Sequence, residues 1–373
     1  MKIESIKITE INIPFKKKFS HADAQRSSAN NLIIEISANG YVGYGECLPR
    51  KYVTGEDIFL CKKNLFDIVQ YFKKIDFENF EDVLKNILKY YKKSEKNTLS
   101  AFSGFENALL NLSAQYFNKS IKDVFDFFLI KNKQTITHYT GPISGELSFL
   151  SALKIKLFGF KSVKFKVTPN TFSKALFLKK ILFKKESSVF DANSSLDEDF
   201  FEKNSYSCKQ QNIRLEQPFS SKKNIQYFEK NLPKIQIVFD ESLCSYFEVK
   251  SFINLQSSYF LANLRIGKNG GITNLLFIYS LLKKNNVKIT LGCLVGETVT
   301  SKYTCLLGKY LNCISYEGGY DKFLFRKHII KPNIMKYGGI LRKDEFDINQ
   351  KIPINIPPHY IIEQYYLENA RSS

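Results

Sequence analysis

The chain has 373 residues, too many for one small domain, and its 44% hydrophobic and 14% aromatic content supplies core material that a disordered chain lacks. With 55 Lys and Arg against 36 Asp and Glu the net charge is +19, yet the basic residues run along the whole chain. There is no basic tail, Arg-Gly run or zinc-finger spacing, so neither nucleic acid nor membrane is expected as a partner. Seven cysteines without a Cys-x-x-Cys pair, no run near the ~18 apolar residues of a membrane span, and no apolar leader after Met1 point to reduced thiols in the cytoplasm.

In chain order, Ile3 to Ile13 is apolar-rich. Leu32-Ile33-Ile34-Glu35-Ile36 then leads through Asn39-Gly40 into Tyr41-Val42-Gly43-Tyr44-Gly45-Glu46. Asn-Gly between two such runs predicts a hairpin. From Asp57 to about Asp126 apolar residues recur at helical spacing, as in Phe102, Phe105, Ala108-Leu109 and Leu112. Residues 1–130 are therefore expected to form an α+β unit. Over 131–330 short apolar strands alternate with amphipathic helices. The strand ends fall near Thr140, Lys166, Asp191, Glu216, Asp240, Arg265, Gly292 and Tyr316, at separations of 24 to 27 residues. Eight strands at a βα period predict a barrel of TIM type, whose strand C-termini form one rim that carries the chemistry. From 331 to 373 the chain is irregular, with Ile352-Pro353 and Pro357-Pro358 as punctuation.

Three acidic residues stand at consecutive strand ends: Asp191 in Asp-Ala-Asn, Glu216 in Glu-Gln-Pro, and Asp240 in Asp-Glu-Ser. Singly, each is as readily a helix N-cap after a strand. Together, three carboxylates in register repel one another unless a divalent cation neutralises them, and an all-oxygen set suits Mg²⁺. One strand earlier lie Lys164 and Lys166, on one face of their strand. Repulsion and desolvation between them are expected to lower one lysine from ~10.4 toward ~7–8, where it acts as a general base. A lysine base beside Mg²⁺ fits removal of the proton α to a substrate carboxylate, with the metal stabilising the enediolate.

With these residues in their order, the chain resembles the enolase superfamily, in its muconate lactonizing enzyme/mandelate racemase-like branch, a superfamily whose lysine-plus-Mg²⁺ pattern is itself a worked example of tuned acid–base chemistry. The likeness runs through Gly43-Tyr44-Gly45-Glu46, Lys-x-Lys, Asp-x-Asn, Glu-Gln-Pro, Asp-Glu-Ser, Gly270-Gly271 and Gly292-Cys293-Leu294-Val295-Gly296-Glu297. It implies a modified (β/α)₇β barrel with an α+β capping domain built from 1–130 and the returning segment 331–373. It further implies Mg²⁺ on Asp191, Glu216 and Asp240, Lys166 as base with Lys164 beside it, and loops at Phe19–Ser28 and Leu48–Thr54 over the substrate. A homo-oligomer is also consistent with the family.

The sequence departs from that pattern at the sixth strand end, where two-base members carry lysine. The run here is Asn263-Leu264-Arg265-Ile266-Gly267-Lys268, so the second catalytic position falls on Arg265 by strand period, or on Lys268 if the strand end bulges. Arginine stays protonated and serves better as a carboxylate clamp than as a base. The Asp-x-Asp of dipeptide epimerases is also missing from Ser315-Tyr316-Glu317-Gly318-Gly319-Tyr320-Asp321. Thr140, Arg50 and Glu297 are further candidates for substrate contact. The expected activity is an isomerisation (epimerase, racemase or cycloisomerase) or a lyase-type elimination on a small carboxylate, against the alternative of a lapsed barrel kept as a carboxylate-binding or scaffold protein.

Overall fold

The computed structural model describes every residue except 22–23, 132–133, 135, 144–146, 343–345 and 369–373. The chain opens with three antiparallel strands, β1 (Ser5–His21), β2 (Ala24–Ala38) and β3 (Tyr41–Cys47). Asn39 and Gly40 take φ of 49° and 79°, the left-handed pair that a tight hairpin between twisted strands needs. Four helices follow: α1 (Ile58–Phe72), α2 (Phe80–Tyr91), α3 (Leu99–Tyr116) and α4 (Ile121–Phe127). Helix α3 is buried on every face from Leu99 to Ala114 and lies against β3 so closely that a Cβ at Gly45 would stand 2.0 Å from the Gly104 carbonyl oxygen. The glycines of the Gly-x-Gly run therefore serve packing.

The barrel strands are β4 (Gly141–Ile143), β5 (Ser162–Lys166), β6 (Ser187–Asp191), β7 (Ile213–Glu216), β8 (Ile237–Phe239), β9 (Phe260–Leu264), β10 (Lys288–Leu291) and β11 (Ser315–Tyr316). Between them run α5 (Phe149–Leu157), α6 (Pro169–Leu182), α7 (Glu198–Gln210), α8 (Ser221–Lys230), α9 (Tyr246–Ile253), α10 (Ile272–Lys284) and α11 (Val299–Tyr310), and the short α12 (Asp321–Leu324) follows β11. The eight strands form one parallel sheet in sequential order. It curls until Tyr139 bridges Tyr316 and the Thr140 N–H donates to Tyr316 O at 2.8 Å. The class is α/β, a (β/α)₇β barrel with an antiparallel cap.

Strand periodicity sorts the side chains. Phe165, Phe190 and Leu215 pair in register on the outer face, where Phe165 meets Phe183 and Phe190 meets Phe172 of α6. Their neighbours Lys166, Asp191 and Glu216 pair in register on the inner face. Asp240, Arg265 and Gly292 each lie one residue beyond their ladders, and the Asp240 N–H is taken by Gln217 Oε1 at 2.9 Å. The first strand ends at Ile143, beyond the Thr140 that the spacing suggested.

After the barrel come β12 (Met335–Lys336), β13 (Ile340–Leu341) and β14 (Ile361–Glu368), the last pairing antiparallel with β1 to give the order β14-β1-β2-β3. The segment 19–28, expected as a covering loop, is the far end of the β1–β2 hairpin, with Phe19 opposite Arg26. Residues 22–23 of it lie outside the described region. Buried carboxylates bolt cap to barrel: Glu46 accepts from the Thr298 and Thr300 N–H groups at the start of α11, and Glu106 from those of Ile272 and Thr273 at the start of α10.

Candidate active site

At the rim the structure brings Lys164, Lys166, Asp191, Glu216, Asp240 and Arg265 together. Lys166 Nζ donates to Asp191 Oδ2 at 2.5 Å and to Asn193 Oδ1 at 2.9 Å, while 22% of its side chain stays exposed to the cavity. Lys164 is buried, 2.8 Å from Glu216 Oε1 and 3.5 Å from Asp191 Oδ2, and also pairs with Glu317. The Arg265 guanidinium pairs with Asp240 and reaches Glu216 Oε1 at 3.4 Å. A Cβ on Gly292 would fall 2.6 Å from Asn263 Oδ1 and 2.9 Å from Arg265 Nε, so the seventh strand ends on glycine to make room for this side chain.

Lys268 is elsewhere. It is fully buried, with Nζ donating to the carbonyls of Asp240 (2.7 Å) and Asn263 (2.8 Å) and 3.2 Å from Asp240 Oδ1, and it does not reach the cavity. Nor does Arg50, whose guanidinium is sealed between cap and barrel on the carbonyls of Asn30, Pro49 and Val295 and on Asn31 Oδ1. These four acceptors on its two terminal nitrogens, not solvent or substrate, account for a buried arginine there. Thr140 and Glu297 line the cavity. Glu297 accepts from the Leu294 N–H and Thr304 Oγ1, and burial pushes its carboxyl up to about 8.

The charges do not balance as the Lys-x-Lys pair by itself suggested. Burial, the largest influence, pushes the Lys166 ammonium down, as do Lys164 and Arg265, but the adjacent Asp191 charge together with Glu216 pulls it up, and on balance its pKa is raised, not lowered. Lys164 is raised for the same reason by Glu216, Glu317 and Asp191 against its burial. Burial and the Asp191 charge raise Glu216, whereas Lys166, Lys164 and Arg265 hold Asp191 below the usual carboxylate range in spite of burial.

The sequence reading passed over Glu317 and Glu241. Glu317 directly follows strand β11 as Asp240 follows β8, so the same strand-end rule finds it. Glu241 lines the cavity with Oε2 unpartnered, and burial followed by the Asp240 charge lifts it to about 7.

Among the described residues no three ligand side chains converge as they would around an ion. The Arg265 and Lys164 cations stand between the carboxylates instead. The donor chemistry still fits a hard divalent cation: three buried carboxylates come from adjacent strands, and Asp240 Oδ1 accepts no hydrogen bond, being met only by the Lys268 charge at 3.2 Å.

No family model matches the chain. Its sequence is 27% identical over 310 residues to a D-Ala-D/L-Ala epimerase of Cytophaga hutchinsonii, covering 78% of this chain and 79% of that one. It is 22% identical over 298 residues to the o-succinylbenzoate synthase of Bacillus subtilis, covering 78% of each. The fold matches the structure of a dipeptide epimerase from Cytophaga hutchinsonii complexed with Mg and the dipeptide D-Ala-L-Val, with a TM-score of 0.78 at 21% identity over 98% of this chain and 100% of that one. With the strand-end carboxylates and the Lys-x-Lys pair on one rim, the chain is similar throughout to dipeptide epimerases and other members of the enolase superfamily, as its sequence motifs indicated. Those relatives are epimerases and a lyase-type synthase, and the chain is a metal-dependent isomerase or lyase.

Proposed function

We propose that this enzyme works from one face of its substrate, with Lys166 as the only base, and catalyses a lyase-type elimination or a cycloisomerisation. One observation carries the reading: at the sixth strand end the cavity meets the guanidinium of Arg265, while Lys268 is turned away beneath Asp240. A guanidinium holds its proton too tightly to exchange it, but two N–H groups suit an anionic oxygen.

Asp191, Glu216 and Asp240 would hold Mg²⁺, as the relative crystallised with Mg suggests. When bound, the ion supplies positive charge against the substrate carboxylate as the α-proton leaves. Lys166 takes that proton in its neutral form, which is favoured when Asp191 is engaged elsewhere, as it would be on a bound cation; Asn193 Oδ1 orients the ammonium that results, and Lys164 adds a fixed charge beside it. Arg265 binds a substrate oxygen once it lets go of Glu216. In an elimination, the proton held on Lys166 passes to the leaving group on the same face. The cap, taken as 1–130 with 331–373, closes the rim with Tyr52 and Lys17. An intact set of Lys166, Asp191, Glu216 and Asp240 argues against a lapsed site, which would have been free to lose it.

The test is deuterium incorporation from D₂O with Mg²⁺ and a pool of small carboxylates. Exchange with retention, or a dehydrated or cyclised product, is expected from the wild type, and neither from Lys166→Ala. Exchange with inversion would overturn the one-face reading in favour of an epimerase, the reading that the 27% likeness to an epimerase favours.

A further inference from the structure

The cavity over Lys166 measures about 700 Å³, far more than a carboxylate and its α-carbon fill. Its surplus lies on one side, at the seam where β4 meets β11. There Ile155 and Phe158 from α5 and its C-terminal turn, Phe160, Phe323 and Leu324 of α12, and Met335 form the wall. Phe158 stacks on Phe160 with ring centroids 5.0 Å apart and meets Phe323 edge-on at 6.5 Å. Phe323 is 54% exposed, an apolar ring that would gain by being covered.

The acids on this side are already engaged. Glu317 pairs with Lys164, and Asp321 accepts from the Asn333 N–H at 2.8 Å and from Ser301 Oγ at 3.3 Å. Among the described residues no acid is thus left free at the seam to greet a cationic group; Lys154 beside Ile155 is a charged residue there, and the apolar wall between the rings rewards an apolar occupant.

We infer that the substrate is a carboxylate bearing a bulky apolar group, aryl or branched alkyl, which lies in the wing between Phe158, Phe160 and Phe323. The inference rests on the carboxylate being held at the Lys166 end of the same cavity, as proposed above, but not on which reaction follows. Phe158 and Phe323 are thus specificity-determining residues.

Calorimetric binding of 4-phenylbutyrate, butyrate and glutarate to the full chain with Mg²⁺ tests it. Phenylbutyrate should bind roughly tenfold or more tighter than butyrate, from the apolar area that the ring buries. Phe323→Ala, at an exposed position that folding does not need, and Phe158→Ala should each cut that ratio to about threefold or less. Equal affinity for phenylbutyrate and butyrate, tighter binding of glutarate, a ratio unmoved by either variant, or no binding of any of the three would overturn the inference. Preferential phenyl binding without α-proton exchange on any carboxylate would leave it standing and refute the proposed reaction instead.

Discussion

Arg265 and Lys268 lie three residues apart and meet opposite surroundings because the chain turns between them. The N–H groups of Lys268 and Asn269 both donate to Arg265 O, at 3.1 and 2.9 Å, so the two side chains leave the turn in different directions. Arg265 enters the cavity and Lys268 goes into the protein. Lys268→Ala should therefore strip Asp240 and Asn263 of a buried ammonium and cost about 3–5 kcal/mol of stability, read as a lowered denaturation midpoint. A variant of unchanged stability that had lost α-proton exchange would instead assign Lys268 to catalysis. Arg265→Lys tests the complementary point. An amine at that position can trade its proton, so inverted product should appear beside the retained one in D₂O, detected by chiral chromatography. Its absence would mean that the second face is closed by more than the guanidinium.

At the scale of elements, the two loops that carry the rim, after β9 and after β10, run straight into α10 and α11. The first N–H groups of those helices have no partner within the helix, and carboxylates from the cap fill the gap: Glu106 on α3 for α10 and Glu46 on β3 for α11. Burial pushes the Glu106 carboxyl up to about 7 in spite of these hydrogen bonds, and Glu56, which caps α3 through the Ser100 and Ala101 N–H groups, is likewise raised to about 7. A carboxyl raised by folding holds its proton more tightly in the folded chain. Its contribution is complete below its usual value of 4.5 and is lost as pH rises through 7. Stability should accordingly fall between about pH 4.5 and 7 in the wild type, and less steeply in Glu106→Gln, as followed by denaturant titration across that range. Parallel slopes for the two proteins would remove Glu106 as a source of the dependence.

For the molecule as a whole, cap and barrel are tied by buried polar contacts. Asn31 of β2 donates to the Gly296 carbonyl at 2.8 Å, Arg50 to that of Val295 at 3.0 Å, and the Tyr303 hydroxyl to that of Tyr44 at 2.7 Å. Strand β14 at the far end of the chain completes the sheet begun by β1. Neither unit can leave without exposing groups that the other satisfies, so unfolding should be a single transition, coincident by circular dichroism and tyrosine fluorescence. Two separated transitions would show that the cap folds independently. No helix of the described residues is long and apolar enough to cross a membrane. The net charge is +19, and the substrate proposed above is an anion. Steering by that field predicts a substrate kcat/KM that falls as salt rises, and a salt-independent value would leave the charge without a role in capture.

Much of this protein was legible before any tertiary structure. The recurrence of strand ends every 24 to 27 residues specified the barrel, because a βα unit has a nearly constant length. The same period put Asp191, Glu216, Asp240 and Arg265 on one rim, since parallel strands in register bring equivalent ends together. Asn39-Gly40 specified its hairpin through local sterics alone. Three matters needed the fold. The sign of the Lys166 shift depends on which charges surround it, and Asp191 at 2.5 Å outweighs the like charge of Lys164. The burial of Arg50 depends on carbonyls near residue 295 that sequence distance hides. The direction of Lys268 depends on a turn whose geometry is set by hydrogen bonds to Arg265. Periodicity is a property of each segment by itself; electrostatics and burial belong to whatever the fold places next to it.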